Sequence, residues 1–396
     1  MLEPLTPSRA QALLSPSARV LVAAADADDG VARASALPWC DVHWPTLISL
    51  TSFERAERQV FRLMRAAPVA EVPDDVMHAM QGICRVSAFR AGELSSAAGV
   101  AADAFRLAGL TVLWLKGAAL AMQSADAFAI RSMGDLDVLV PPGQLAAARA
   151  ALRSVGWRDG VADGSYEGHH HDSPMFWHAG IRLELHTGLF PPGNPFPDDS
   201  ADVWLGRSRS HQWGDREVRV LPRPWHVVHA SVHWAWNHEG AVGSWQYLHD
   251  LRCLTDGWDS GSPMWSEVAS HAKTIRATAP VGWALWTGVQ LGPSGNIDET
   301  VMSSLRGPRR SLTGIAEREW VLRAFQSPTA SPSVKWSRYW WQYAMHGLGN
   351  ARKEWPWTAG RALPSVTPDA VAGRTQRTPA AALTKWRRHL ARVLRG

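Results

Sequence analysis

Apolar positions recur at helical spacing through most of this chain, and strict alternation interrupts them only in its middle third. Residues 44 to 107 carry the helical pattern; Val60, Leu63 and Met64 fall on one face of a predicted helix. Pro68 and Pro73 break the run, and a long Ala-rich helix then leads to Gly109. Leu110-Thr-Val-Leu-Trp-Leu115 is a short β-favouring run that ends in Lys116-Gly117 and an Ala-rich helix start. Asp135-Leu-Asp-Val-Leu-Val140 alternates as a strand and is closed by Pro141-Pro142. Gln144 to Val155 is helical and Gly156 stops it. Ile181-Arg-Leu-Glu-Leu-His186 alternates again as a third strand, and Val218 to Leu221 is a candidate fourth. From Pro224 the helical pattern returns, first over Trp225 to Asn237 and Trp245 to Leu254, then in Trp-bearing segments to about Leu348.

Strands separated by helices imply a small mixed sheet with helices packed on it, an α+β fold. The expected organisation is an N-terminal helical region (1–107), a mixed-sheet core (108–222), a C-terminal helical domain (223–357), and a linker with a basic amphipathic helix (358–396). The linker is rich in Pro, Thr, Gly and Arg. In the last helix Leu383, Trp386, Leu390, Val393 and Leu394 form a stripe among Lys385, Arg387, Arg388, Arg392 and Arg395. Such a helix suits docking on its own domain, an anionic membrane surface or an acidic partner.

Composition narrows the class. A hydrophobic fraction of 46% with 19% charged residues belongs to a folded globular chain. The excess of Trp, 22 against 4 Tyr and 9 Phe, reads as bulky packing between helices. A net charge of +5 is too modest to demand a polyanionic partner. Cys40, Cys84 and Cys253 form no CxxC pair, which argues against a disulfide framework or zinc knuckle. Val20 to Ala25 is too short for a signal core and runs into Asp26, Asp28 and Asp29. No segment is long and apolar enough to span a bilayer, so the expected location is the cytoplasm.

Alternation gives the strands their chemistry. Residues two apart on a strand point to the same side, so Asp135 and Asp137 project together while Leu136, Val138 and Val140 enter the core. Two carboxylates that close repel unless a cation lies between them, and hard oxygen donors suit Mg²⁺ (or Mn²⁺), which also bind phosphates. Gly134 leaves room for a substrate beside the backbone. On the third strand Arg182, Glu184 and His186 share one face. If the two strands are neighbours, Glu184 completes a three-carboxylate cluster able to hold two metal ions. The plainer reading of the Asp pair is a solvated strand edge.

The motifs, taken in order, resemble a known family. Leu115-Lys-Gly-Ala-Ala-Leu120, then Arg131-Ser-Met-Gly-Asp-Leu-Asp-Val-Leu-Val140, then Gly156-Trp157, then Leu183-Glu-Leu-His186 is similar to the uncharacterised bacterial nucleotidyltransferases of the DNA polymerase β-like superfamily. The resemblance covers roughly residues 44 to 255 and extends faintly to about 350. It implies a nucleotidyltransferase core, metal ligation by Asp135, Asp137 and Glu184, and triphosphate contacts near Lys116 and Gly117. The usual Gly-Gly or Gly-Ser turn of the superfamily is here Gly117-Ala118, so a Ser hydroxyl contact is lost. Lys116 can compensate, and Arg131 is a second phosphate contact or else a surface ion pair. The family often carries a histidine before the strand leading to Glu184, which makes His170, within Gly168-His-His-His-Asp172, a residue of the cleft mouth. The alternatives there are a solvated turn or a metal site.

His226, His229 and His233 are spaced three and then four apart and share a helix face. They either line the cleft or pack in a partly polar core, and Asp250 can pair with one of them. The functional expectation is metal-dependent nucleotidyl transfer, with phosphoryl transfer less favoured, from a nucleoside triphosphate to an acceptor. The resemblance places such proteins near biosynthetic clusters for modified peptides and surface polymers, which favours a small-molecule or peptide acceptor. The rivals are a non-catalytic nucleotide-binding scaffold on a decayed transferase fold, and a toxin-like transferase acting on tRNA or protein.

Overall fold

The computed structural model describes residues 5–68, 71–124, 127–129, 131–160, 174–177, 180–190, 196, 199–238, 240, 242–292, 297–306, 317–318, 320–322 and 325. The helices are α1 (Pro7–Leu13), α2 (Pro16–Ala24), α3 (Ala27–Ala32), α4 (Trp44–Glu54), α5 (Glu57–Ala66), α6 (Asp74–Leu107), α7 (Lys116–Gln123), α8 (Leu145–Ser154), α9 (Ala201–Arg207), α10 (Arg223–Val232), α11 (Ser244–Leu254), α12 (Pro263–Thr274), α13 (Thr278–Leu291) and α14 (Glu299–Arg306). The strands are β1 (Leu113–Trp114), β2 (Asp135–Leu139), β3 (Arg158–Asp159), β4 (Met175–Phe176), β5 (Arg182–His186), β6 (Arg209–Trp213) and β7 (Arg216–Val220). Among the described residues no helix is long and apolar enough to cross a membrane.

Local chemistry explains many boundaries. Thr6 and Ser15 cap α1 and α2 by accepting backbone N–H bonds, each just before a proline that lacks the donor anyway. The long α6 begins after Pro73 with Asp74 and Asp75 in its first turn, where acids oppose the helix dipole. Beyond α8 the chain reverses at Gly156, whose φ of +97° a side chain would resist.

The seven strands form one mixed sheet in the order β3-β4-β5-β2-β1-β7-β6. Central strands β2 and β5 run parallel, with Asp135 opposite Arg182, Asp137 opposite Glu184 and Leu139 opposite His186. The condition set by the sequence, that the two acidic strands be neighbours, is met. Leu136, Val138, Val140, Leu183 and Leu185 all lie on the other face, buried against α6, α7 and α8. The strand expected over 110–115 is paired only at Leu113 and Trp114, because Leu115 leads straight into α7.

Strand β6 and the short pairs β3 and β4 were not legible beforehand. β6 is an edge strand of mostly polar, partly exposed residues, so no apolar alternation marks it; the β6–β7 turn carries Gly214 at φ +58°.

The carboxylate face of the sheet is roofed by helices from both ends of the chain. Leu113, Leu115 and Leu139 belong to one apolar core with Leu21, Leu47 and Val60 from the N-terminal helices and Trp245, Leu248 and Trp283 from the C-terminal ones. Polar ties cross the same seam: Gln11 donates to the carbonyl of Leu291 at 3.0 Å, and the backbone N–H of Trp245 donates to Glu54 at 2.9 Å. Among the described residues, Trp39, Trp114, Trp157, Trp204 and Trp245 are fully buried. The linker and basic helix at 358–396, with Trp386 and Leu390, lie outside the described residues.

Candidate active site

The parallel register sets the site. Asp137 and Glu184 are side by side on adjacent strands, and His186 follows two residues on, so all three side chains rise from the same face. Their closest ligand atoms lie within 4.8 Å of one another. The tightest cluster is therefore Asp137, Glu184 and His186, rather than the Asp135, Asp137 and Glu184 set expected from the strands alone. Asp135 stands at the outer rim, held by an ion pair to Arg182, which also lies 3.3 Å from Glu184.

Two cations already occupy this acidic face. Lys116 Nζ is 2.7 Å from Asp137 Oδ1, and Arg182 bridges Asp135 and Glu184. His186 Nε2 lies 2.8 Å from the same Asp137 oxygen. Burial disfavours an ionised Asp137, but the Lys116 ammonium and the His186 hydrogen bond hold it well below the usual carboxylate range. Burial likewise works against charged Lys116, yet Asp137 and Asp135 raise its pKa. Glu184 lacks so close a cation: burial, with Asp137 and Asp135 nearby, pushes it up to about 7. Burial and the Lys116 charge lower His186, leaving the neutral imidazole that ligates metals.

Lys116 sits where β1 gives way to α7, with a left-handed backbone (φ +49°). That conformation costs a residue with a side chain about 1–2 kcal/mol. His226 of α10 lies against the Lys116 backbone. The glycine that follows has a concrete steric role: a Cβ at Gly117 would collide with the Arg131 guanidinium and come within 2.6 Å of the Met133 sulfur.

Arg131 spends its charge on Asp250. Nε lies 2.6 Å from one carboxylate oxygen, Nη2 donates to the other at 3.0 Å, and both residues are largely buried. This pair ties the loop before β2 to α11; it is neither a surface ion pair nor an arginine open to phosphate, and Asp250 has Arg131 as its partner instead of a histidine. The same loop is fastened at Ser132, whose hydroxyl donates to Glu57 at 2.8 Å, and at its carbonyl, which accepts from Gln246 at 3.4 Å. The space beside Gly134, expected to admit substrate, holds the guanidinium of Arg55, with Cζ 2.7 Å from where a Cβ would be.

The histidines of α10 and the π-helical turn after it (His233–Asn237) flank this centre. His226 and His229 are buried, His233 is half-buried, and His238 is exposed. Burial and the Lys116 charge push His233 well below its ordinary pKa. Burial also lowers His226 to about 4 and His229 well below its ordinary value. At neutral pH these rings are uncharged and hydrogen-bond or stack; His233 and His238 stack at 4.5 Å between centroids. His170 lies outside the described residues.

Sequence reasoning missed Arg55 and His238 as site neighbours. No spacing or motif marks either one, because Arg55 is brought in by a helix corner 80 residues upstream and His238 by a π-helical turn.

A family model described as "Uncharacterised nucleotidyltransferase" matches residues 41–291, more than half of the chain. Neither a curated protein nor a solved structure matches it.

Proposed function

The chain belongs to the uncharacterised nucleotidyltransferase family, and from that premise we propose that it transfers a nucleotidyl group from a nucleoside triphosphate, with a divalent metal, to a hydroxyl-bearing small molecule or peptide. The observation that carries this reading is the parallel register that sets Asp137 beside Glu184 with His186 adjoining. Two carboxylates and one imidazole within 4.8 Å are a donor set that fits a divalent ion. Asp137, Glu184 and His186 would hold it, with Asp135 able to join from the rim. The imidazole donor tilts the preference from Mg²⁺ toward Mn²⁺. A divalent ion held there would supply neutralisation of charge on the transferred phosphate and activation of the attacking oxygen.

The protein's own residues prepare for that role. Lys116 and Arg182 neutralise the carboxylates, so that the acidic face stays folded without a metal. With a metal bound to the carboxylates, both side chains would have donors to offer phosphate oxygens, Arg182 as a two-pronged fork and Lys116 as a point charge. Arg131 acts at one remove, clamping the loop that starts β2 to α11. The neutral histidines flank Lys116 without adding positive charge.

Incubation with each nucleoside triphosphate, Mg²⁺ or Mn²⁺ and candidate acceptors, followed by mass spectrometry, should reveal a nucleotidyl adduct. Asp137→Asn keeps the shape and removes the charge, so it should abolish metal-dependent nucleotide binding in calorimetry. Unchanged binding and turnover in that variant would mean the cluster has no part in function.

A further inference from the structure

The loop that enters β2 is covered by a corner between α4 and α5, and that corner is held rigidly. Glu54 accepts the Trp245 N–H at 2.9 Å, Glu57 accepts the Ser132 hydroxyl at 2.8 Å, and Arg58 donates to the carbonyls of Ala129 and Ser87 at 2.9 and 2.8 Å. Between these fastened residues lies Arg55, the C-cap of α4, in a left-handed conformation (φ +57°, ψ +41°). Its guanidinium rests on Gly134, the residue before Asp135. Any side chain at 134 would push it away.

The cations around the carboxylates differ in what they hold. Lys116 is bound to Asp137, Arg131 to Asp250, and Arg182 to Asp135 and Glu184. Arg55 is exposed, and its side chain makes no hydrogen bond or ion pair among the described residues. Here the helix corner sets it over backbone, with its donors open. A triphosphate stays negatively charged after a divalent ion has bound, and a planar fork of donors is the group best matched to its oxygens.

We propose that Arg55, seated on Gly134, is an anion subsite that the N-terminal helical region contributes to the centre, and that it takes the polyphosphate of the incoming nucleotide. This rests on the nucleotidyltransferase reading. It gives the N-terminal helices a direct part in substrate binding, with Gly134 as the floor that lets the guanidinium approach the strand carrying Asp135.

The test uses the full chain and tripolyphosphate with Mn²⁺ as the probe in calorimetry, alongside each nucleoside triphosphate and free adenosine. Arg55→Ala should weaken tripolyphosphate and triphosphate binding by about tenfold or more, as loss of a charge-assisted contact does. Adenosine binding and the thermal midpoint without ligand should not change. Arg55→Lys should recover part of the affinity, since it restores charge without the fork. Wild-type affinity in Arg55→Ala, with binding lost in Asp137→Asn, would overturn this inference and leave the functional reading intact. A weakened Arg55→Ala that also melts early, with Arg55→Lys equally impaired, would make Arg55 a structural residue and overturn it too. No binding of any triphosphate or tripolyphosphate by the wild type would bring down both.

Discussion

At the scale of single residues, Lys116 ties fold and chemistry together. Its ammonium lies against Asp137 where a metal would also be drawn, and its backbone carries strain. Removing one partner of a buried ion pair leaves the other charge uncompensated and costs about 3–5 kcal/mol. Lys116→Ala should therefore melt well below wild type in chelator. Because a divalent ion can neutralise Asp137 in its place, added Mn²⁺ should raise the midpoint of this variant more than that of wild type. Scanning calorimetry across a metal titration decides the matter: equal shifts in the two proteins would mean that Lys116 and the metal do not share Asp137. The sequence marked Lys116 by its place between strand and helix, but it could not show that the ammonium faces a carboxylate two strands' worth of chain away.

At the scale of elements, α11 is docked by polar ties to other parts of the chain, one made by a distant acid and one by its own. Its first turn donates the Trp245 N–H to Glu54, and Asp250 further along holds Arg131. Burial pushes Glu54 up to about 7 from 4.5. An acid whose folded pKa is raised binds more protons folded than unfolded, so stability falls as pH rises from about 4.5 to 7 and stays lowered above that. The shift corresponds to roughly 3 kcal/mol. Glu184 adds a loss of the same sign, so the informative quantity is the difference between proteins. Glu54→Gln keeps an acceptor for Trp245 and cannot ionise; it should be near wild type at pH 4.5 and more stable at pH 8. Denaturant unfolding at both values measures this, and an unchanged difference would mean Glu54 ionises at its ordinary pKa. The strands β2 and β5 could be read from alternation because each buries one face and exposes the other to the site. Edge strand β6 could not, since neither face is consistently apolar.

At the scale of the molecule, the sheet is not self-sufficient. Its carboxylate face shares a core with helices before and after it, through Leu113, Leu115 and Leu139. A fragment of residues 108–222 would expose that face, each large apolar side chain uncovered forfeiting about 1.5–3 kcal/mol. We expect it to lack a cooperative thermal transition, while the full chain has one; a sharp transition in the isolated fragment would show the core to be an independent unit. The apolar contacts run across the expected boundaries at 107 and 222.

The sequence by itself determined what local forces set: the α+β class, the faces of the two acidic strands, and Asp135, Asp137, Glu184 and Lys116 as candidates for the chemistry. Periodicity of two fixes which side a strand residue faces, and nothing distant can change that. Only the tertiary structure decided partners. The parallel register brought His186 into the cluster, Asp250 took Arg131, and the α4–α5 corner delivered Arg55 to Gly134. These pairings join residues tens to more than a hundred positions apart, and their energies exist only once the intervening chain has packed. Spacing along the chain carries no trace of them.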